Sequence, residues 1–351
     1  MNEVKIGRLT VGAARRALIM VDAGVNHNNS VERGLKIIDR AAESGADVVK
    51  FQTYKAAAIT TRTAPRYWNS KLDTDSGGTQ YDTFARLDGM PLEGYVALKR
   101  HCSAKGVIFS STPFNLPDVQ LLEQIGMDLY KISSSDITYL DLITEAARTG
   151  KPIIISTGCA SIGEVEKALE AVDQTGNKNV ILQHCILQYP CDDANANLAK
   201  MQMLQTIFHD IPVGYSDHTY GTIIPAAAVA LGARTIEKHF TIDKKLPDSP
   251  DHSFSADPAE LAEMSCQIRR IEAGIGTFVN GYYPAEEKAW KFARKSLVAA
   301  RTIPAGTRIT REMLTCKRPG TGIYPEYSDF VVGSVARVDI PEDSTILRDM
   351  I

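Results

Sequence analysis

Eight short apolar runs recur along the chain, near 17–23, 47–53, 107–112, 129–134, 152–157, 179–186, 213–218 and 235–241. Each is continuous and not alternating, which marks a strand covered on both faces. Between them lie segments of helical period, among them VERGLKIIDRAAESG, PLEGYVALKRHCSAKG, a stretch around Leu116 to Ile125, another around Leu140 to Thr149, IGEVEKALEAVDQTG, one near Met201 to Phe208, and GTIIPAAAVALGA. Strands alternating with helices predict a parallel sheet, and eight repeats predict closure into a (β/α)8 barrel. An open doubly wound sheet would bring a glycine-rich phosphate loop after its first strand, and DAGVNHNN does not read GxGxxG. Ser30 is placed to cap the first helix. The opening MNEVKIGRLTVG is expected to form a hairpin, and the long polar stretch from Tyr54 to Met90 a lid or short helices. After the barrel come the helix PAELAEMSCQIRRIEAGIG and the linker TFVNGYYPAEEKAW. From about Lys291 short apolar stretches and Pro-Gly turns predict a small β-rich domain.

Composition narrows this picture. A chain of 351 residues suits a barrel of about 250 residues plus an appendage. A hydrophobic content of 44% and a formal net charge of −3 indicate neither disorder nor a nucleic-acid surface. There is no apolar run of about eighteen residues and no signal-peptide core, so a soluble, cytoplasmic protein without a membrane partner is expected. Six scattered cysteines without a CxxC pair read as reduced thiols.

The candidate chemistry lies where the strands end. VGYSDHT and RTIEKHFTI each finish in a histidine, His218 and His239, and a right-handed connection between parallel strands places both at one end of the sheet. Imidazoles with a carboxylate nearby form a common divalent-metal site. Other strand ends carry Asp22, Lys50 with Gln52, Ser110 with Thr112, Lys131 with Ser134 and Asp136, Ser156 with Thr157, Gln183 with His184, and Glu237 beside His239. Barrel active sites form at that rim. Lysines flanked by apolar residues, as in VVKFQT and LYKISSSD, must be paired, so two that converge imply an anion between them. With hydroxyls from Thr112, Ser134 and Ser156, a phosphate or carboxylate is the natural guest.

The pieces VDAGVNHN, VVKFQT, FSSTPF, YKISSSD, IIISTG, HCILQYP, VGYSDHT, IEKHFT, PDH and KRPGTGI, in that order, resemble the N-acetylneuraminate synthase family, which includes legionaminic and pseudaminic acid synthases. The resemblance implies a (β/α)8 barrel over 1–278, a linker over 279–290 and an antifreeze-like (SAF) domain over 291–351. It implies condensation of phosphoenolpyruvate with the open-chain aldehyde of an N-acetylated hexosamine, a divalent metal such as Mn2+ or Mg2+, and a domain-swapped homodimer. Carried over by position, it assigns metal binding to His218 and His239 and phosphoenolpyruvate to Lys50, Thr112, Lys131, Ser134 and Ser156. Sugar contacts fall on Gln52, Tyr189, Asp251, Phe292 and Arg318. Asp22 and Asp136 stand where sialic acid synthases usually have glutamate, either to handle protons or to bind hydroxyls. Leu187 replaces the usual Asn or Ser beside the phosphate, a contact for which Gln188 is the candidate substitute, and Cys159 follows STG where methionine is usual. The runners-up are another 3-deoxy-ulosonate synthase, and a barrel that has lost catalysis and serves as a carbohydrate-binding scaffold.

Overall fold

A computed structural model describes residues 1–68, 77–247 and 249–351. They form two compact units, Met1–Gly276 and Thr277–Ile351. In the first, a hairpin of β1 (Val4–Ile6) and β2 (Leu9–Val11) precedes eight strands: β3 (Leu18–Gly24), β4 (Val48–Thr53), β5 (Ile108–Pro113), β6 (Tyr130–Ile132), β7 (Ile153–Ser156), β8 (Val180–Cys185), β9 (Val213–Asp217) and β10 (Thr235–His239). All eight pair in parallel with their neighbours in sequence, and β10 returns to β3 to close the barrel.

The period of two within each strand divides the core. Ile19, Val21, Val49, Phe51 and Phe109 point outward and pack against Ile37, Ile38, Leu98, Leu122 and Ile143 of the surrounding helices. Leu18, Met20, Val48, Ile108, Ile154 and Ile181, near the strand starts, form a separate cluster with Val4, Ile6 and Val11, so the hairpin plugs that end. Further along the same inward rows come Asp22, Lys50, Lys131, Ser156, Glu237 and His239, all of which line one cavity. The apolar plug fills one end of the barrel, and the polar residues are left for the other.

Local signals act as expected at the first helix, Val31–Glu43, where Ser30 accepts a hydrogen bond from the Arg33 N–H. The stretch from Tyr54 to Met90 contains helices Ala56–Ile59 and Gln80–Leu87, and its portion 69–76 lies outside the described residues. All six cysteines are free. Cys159 is exposed at φ +55°, so its side chain has no packing role.

In the second unit β11 (Ser296–Ala299) pairs antiparallel with β12 (Leu314–Lys317). Leu297, Ile303, Ile309, Ile323, Val331, Ile340 and Ile346 make a core of their own. The stretch expected to be a linker ends in short helical turns, from Pro284 onward. Helix Glu287–Phe292 is tied to this unit by the Gly320 N–H donating to the Lys291 carbonyl and by Arg294 lying 4.0 Å over the Trp290 ring. Among the described residues, no helix is long and apolar enough to cross a membrane.

Candidate active site

Strand register builds the site. His239 is level with Asp22, and Asp22 with Lys50, so three adjacent strands present a histidine, a carboxylate and an ammonium at one height. They open into a cavity of about 410 Å³ that is also lined by Gln52, Thr112, Lys131, Ser134, Asp136, Ser156, Leu187, Tyr189, His218, Glu237 and Asp251. Gly24 allows the sharp exit from β3: its φ is +49°, and a Cβ there would touch the Asp22 carboxylate and Gln52 amide at 3.4 Å.

Lys50 is fully surrounded by protein. Its Nζ lies 2.7 Å from Asp22 Oδ2, 3.5 Å from Glu237 Oε1 and 3.4 Å from Thr112 Oγ1. Burial opposes its charge, but the two carboxylates outweigh burial and hold the ammonium above the ordinary lysine range. Lys131 Nζ reaches the other Glu237 oxygen at 3.2 Å. The Glu237 carboxylate thus lies between the two lysines. Glu237 was placed beside His239 from sequence but given no role, because its partners come from β4 and β6 and meet it only on closure.

Hydroxyls gather beside the lysines. Ser156 Oγ is buried without a hydrogen-bond partner. Ser134 Oγ accepts from the Gly158 N–H at 3.0 Å. Leu187 lines the cavity, and Gln188 does not take its place: the Gln188 amide is bonded to Asp192 and Asn195 at the surface. Asp136 also lines the cavity, and burial pushes its carboxyl up to about 6, against the opposing pull of the Ser135 hydroxyl and Lys131.

The two imidazoles have ring centroids 5.3 Å apart. His218 Nδ1 lies 2.7 Å from the Ile186 carbonyl, which can only accept, so the proton is on Nδ1 and Nε2 keeps its lone pair. Burial, with help from His239, lowers its pKa to about 3 and keeps the ring neutral. His239 Nδ1 lies in ion-pair range of Asp251 Oδ2 at 3.4 Å, and its Nε2 is 3.7 Å from Asp22. Burial works against protonation of His239, yet Asp251 and Asp22 prevail and raise its pKa. A carbonyl on one Nδ1 and a carboxylate near the other are the outer-shell partners that orient metal-binding histidines. Among the described residues, no group of three or more His, Cys, Asp or Glu side chains is arranged to hold a metal. The Tyr189 ring is tilted against His218 at 4.0 Å between centroids, and Phe254 meets His239 edge-on at 5.2 Å.

Several rim residues are occupied elsewhere. Ser110 donates to the Leu129 carbonyl, Thr157 to the Gln183 carbonyl, Gln183 to Thr235 Oγ1, and His184 Nε2 is bonded to the Ala196 carbonyl. Phe292 and Arg318 are exposed on the second unit. Sequence reasoning missed the wall contributed by the Tyr54 to Met90 stretch, where Tyr54, Phe84, Trp68 and Tyr67 follow one another and Tyr67 meets Tyr189, at ring separations of 5.3–6.0 Å. The only signal was the density of aromatics in an otherwise polar segment.

Comparison with known proteins agrees with this architecture. The NeuB family profile matches residues 37–280, and the SAF domain profile matches 294–351. An uncharacterized protein of Methanocaldococcus jannaschii is 36% identical over 349 residues, 99% of this chain and 98% of that protein. An N,N'-diacetyllegionaminic acid synthase of Campylobacter jejuni is 39% identical over 334 residues, 95% of this chain and 99% of that one. The crystal structure of a sialic acid synthetase from Leptospira borgpetersenii superposes with a TM-score of 0.72 at 32% identity, covering 82% of this chain and 94% of that one. A closed eight-stranded parallel barrel with polar groups at its strand ends is a common frame for enzyme active sites. This chain belongs to the NeuB family and carries a SAF domain at its C-terminal end.

Proposed function

We propose that this enzyme condenses phosphoenolpyruvate with the open-chain form of an N-acetylated hexosamine, either N-acetylmannosamine or a diacetamido-trideoxyhexose, giving a nonulosonic acid and phosphate. The observation that carries the reading is that one cavity holds two buried ammoniums, an unpartnered Ser156 hydroxyl and two adjacent imidazoles. The relatives named as nonulosonic acid synthases support the same chemistry.

Lys50 and Lys131, with Thr112, Ser134 and Ser156, bind the phosphate and carboxylate of phosphoenolpyruvate and direct its C3 toward the acceptor. His218 and His239 would hold a divalent cation such as Mn2+ or Mg2+, which when bound would supply Lewis-acid polarisation of the acceptor aldehyde. Gln52, Tyr189, Asp251 and Asp22 hold the sugar hydroxyls, and Tyr189 with Phe254 limits water near the aldehyde. A C–C bond forms between C3 of phosphoenolpyruvate and the sugar C1, water adds at C2, and phosphate leaves by C–O cleavage. Asp136, with its pKa near 6, is suited to hold or release a proton close to neutral pH.

A sugar phosphate is disfavoured as acceptor. Among the described lining residues, the basic side chains are Lys50, Lys131 and the two histidines, which leaves no separate cluster for a second phosphate. The test is phosphate release from phosphoenolpyruvate with Mn2+ and candidate hexosamines, before and after chelation. Release that depends on both sugar and metal is expected. No release with any of them, or full activity after dialysis against chelator, overturns the reading and favours a scaffold.

A further inference from the structure

The two imidazoles stand on neighbouring strands, and those strands share a second pair of charges that does not line the cavity. Glu237 and His239 of β10, with Ser216 and His218 at the end of β9, face the cavity. The residues between them, Lys238 and Asp217, point the opposite way by the period of two, into a layer made apolar by Val213, Tyr215, Ile236 and Phe240. Lys238 is level with Asp217, and the register of β10 on β9 ends at this pair. Both are buried, at 2% and 1% exposure. Lys238 Nζ donates to Asp217 Oδ2 at 2.5 Å and to the Thr219 carbonyl at 2.7 Å. Asp217 Oδ1 accepts from the Thr219 N–H at 3.1 Å and from the Thr219 hydroxyl at 2.9 Å.

This bonding brackets His218. One ammonium, carried by the residue before His239, holds both the residue before His218 and the residue after it. A shift of His218 relative to β10 therefore has to break a charge-assisted bond in a buried place. Stability is a weak reason for such a pair, because a buried ion pair seldom stabilises a fold more than well-packed apolar residues of the same volume, and the layer around this one is apolar. Fixing register is the best-attested use of a buried polar group. The groups whose register is fixed here are the two imidazoles, 5.3 Å apart between ring centroids. A binding constellation works only when its members are held within about 0.5 Å of the productive geometry, by neighbours that are themselves locked.

We propose that Lys238 and Asp217 are positioning residues that set the spacing of His218 and His239 from outside the cavity, and through that spacing the affinity for a divalent cation. This rests on the metal-binding role proposed above for the two histidines and adds to it two residues that act from the far side of the strands.

The test is the Mn2+ affinity of the full chain, read without substrates from the electron paramagnetic resonance signal of free Mn2+, with the melting temperature measured alongside. Wild type is compared with the Lys238→Met/Asp217→Asn double variant, which leaves no buried charge unpaired and keeps an acceptor for Thr219. Asp47→Asn is the comparison for general loosening. Asp47 precedes β4 at the plugged end of the barrel, where it accepts from the Ile19 N–H at 3.0 Å and pairs with Arg269 at 3.4 Å. The double variant is expected to bind Mn2+ about tenfold more weakly than wild type, and Asp47→Asn as tightly as wild type. Wild-type affinity in the double variant, equal weakening in Asp47→Asn, or a double variant that does not fold overturns the positioning role and leaves the metal site standing. Mn2+ binding that is absent from wild type, or unchanged in His239→Ala, overturns the metal site and the positioning role together.

Discussion

Asp136 shows how a single side chain combines burial with readiness to titrate. Its carboxyl sits near 6 because burial outweighs the Ser135 hydrogen bond and the Lys131 charge, whereas in the unfolded chain it returns to the ordinary range near 4. The sign of the resulting stability term follows directly. Protonation is easier in the folded state, so the contribution is complete below the unfolded value and is lost as pH rises through about 6. Replacement by asparagine removes that loss. Measured by chemical denaturation, Asp136→Asn is expected to gain stability relative to wild type as pH goes from about 4 to about 8, with most of the change between about 4 and 6. A difference independent of pH would mean that Asp136 titrates like an exposed carboxylate. Lys50 differs from Asp136 in being compensated by protein carboxylates, which hold its ammonium charged despite burial.

At the level of elements, the turn after β7 orients the Ser134 hydroxyl, and Gly158 permits it. A Cβ on Gly158 would lie 2.8 Å from Ser134 Oγ, closer than real Cβ contacts allow, and a tight 3.1 Å from Leu187 Cγ. Gly158→Ala must displace Ser134, which the Gly158 N–H now orients. A rise of about tenfold in KM for phosphoenolpyruvate is expected, with a smaller change in the acceptor KM. Equal effects on the two would mean that the loop moves as a whole and does not position the serine in particular. The eight strands were readable because a short, continuous apolar run between two helical segments fits little besides a strand buried on both faces. Lys50, Lys131, His218 and His239 stood out within or at the end of such runs. Gln183 and His184 looked equivalent to them in the sequence, yet Gln183 is bonded to Thr235 inside the barrel and His184 to the Ala196 carbonyl. Which rim residue stays free depends on neighbours brought by other strands. Tyr54, Trp68 and Phe84 were illegible for the complementary reason, since a segment without periodicity gives no indication of which face meets the cavity.

For the whole molecule, what matters is whose barrel the second unit serves. Phe292 and Arg318 are exposed on that unit, and no sequence period or spacing pointed to either; only family resemblance did. We propose that they complete the barrel of a second copy in a swapped dimer, where the Arg318 guanidinium holds hydroxyl or acyl oxygens of the acceptor with fixed geometry. Removing either element alone should then silence the site it belongs to: His239→Ala because one of two imidazole ligands is lost, and Arg318→Ala because the acceptor loses its clamp. A mixture of the two inactive chains distinguishes the arrangements. In a swapped heterodimer, the barrel of the Arg318→Ala chain keeps His239 and receives an intact arginine from its partner, so one site of two is whole. Statistical mixing should restore about a quarter of wild-type activity. No recovery after subunit exchange has been confirmed by mass spectrometry, or full activity from a monomer, would assign the second unit to its own barrel.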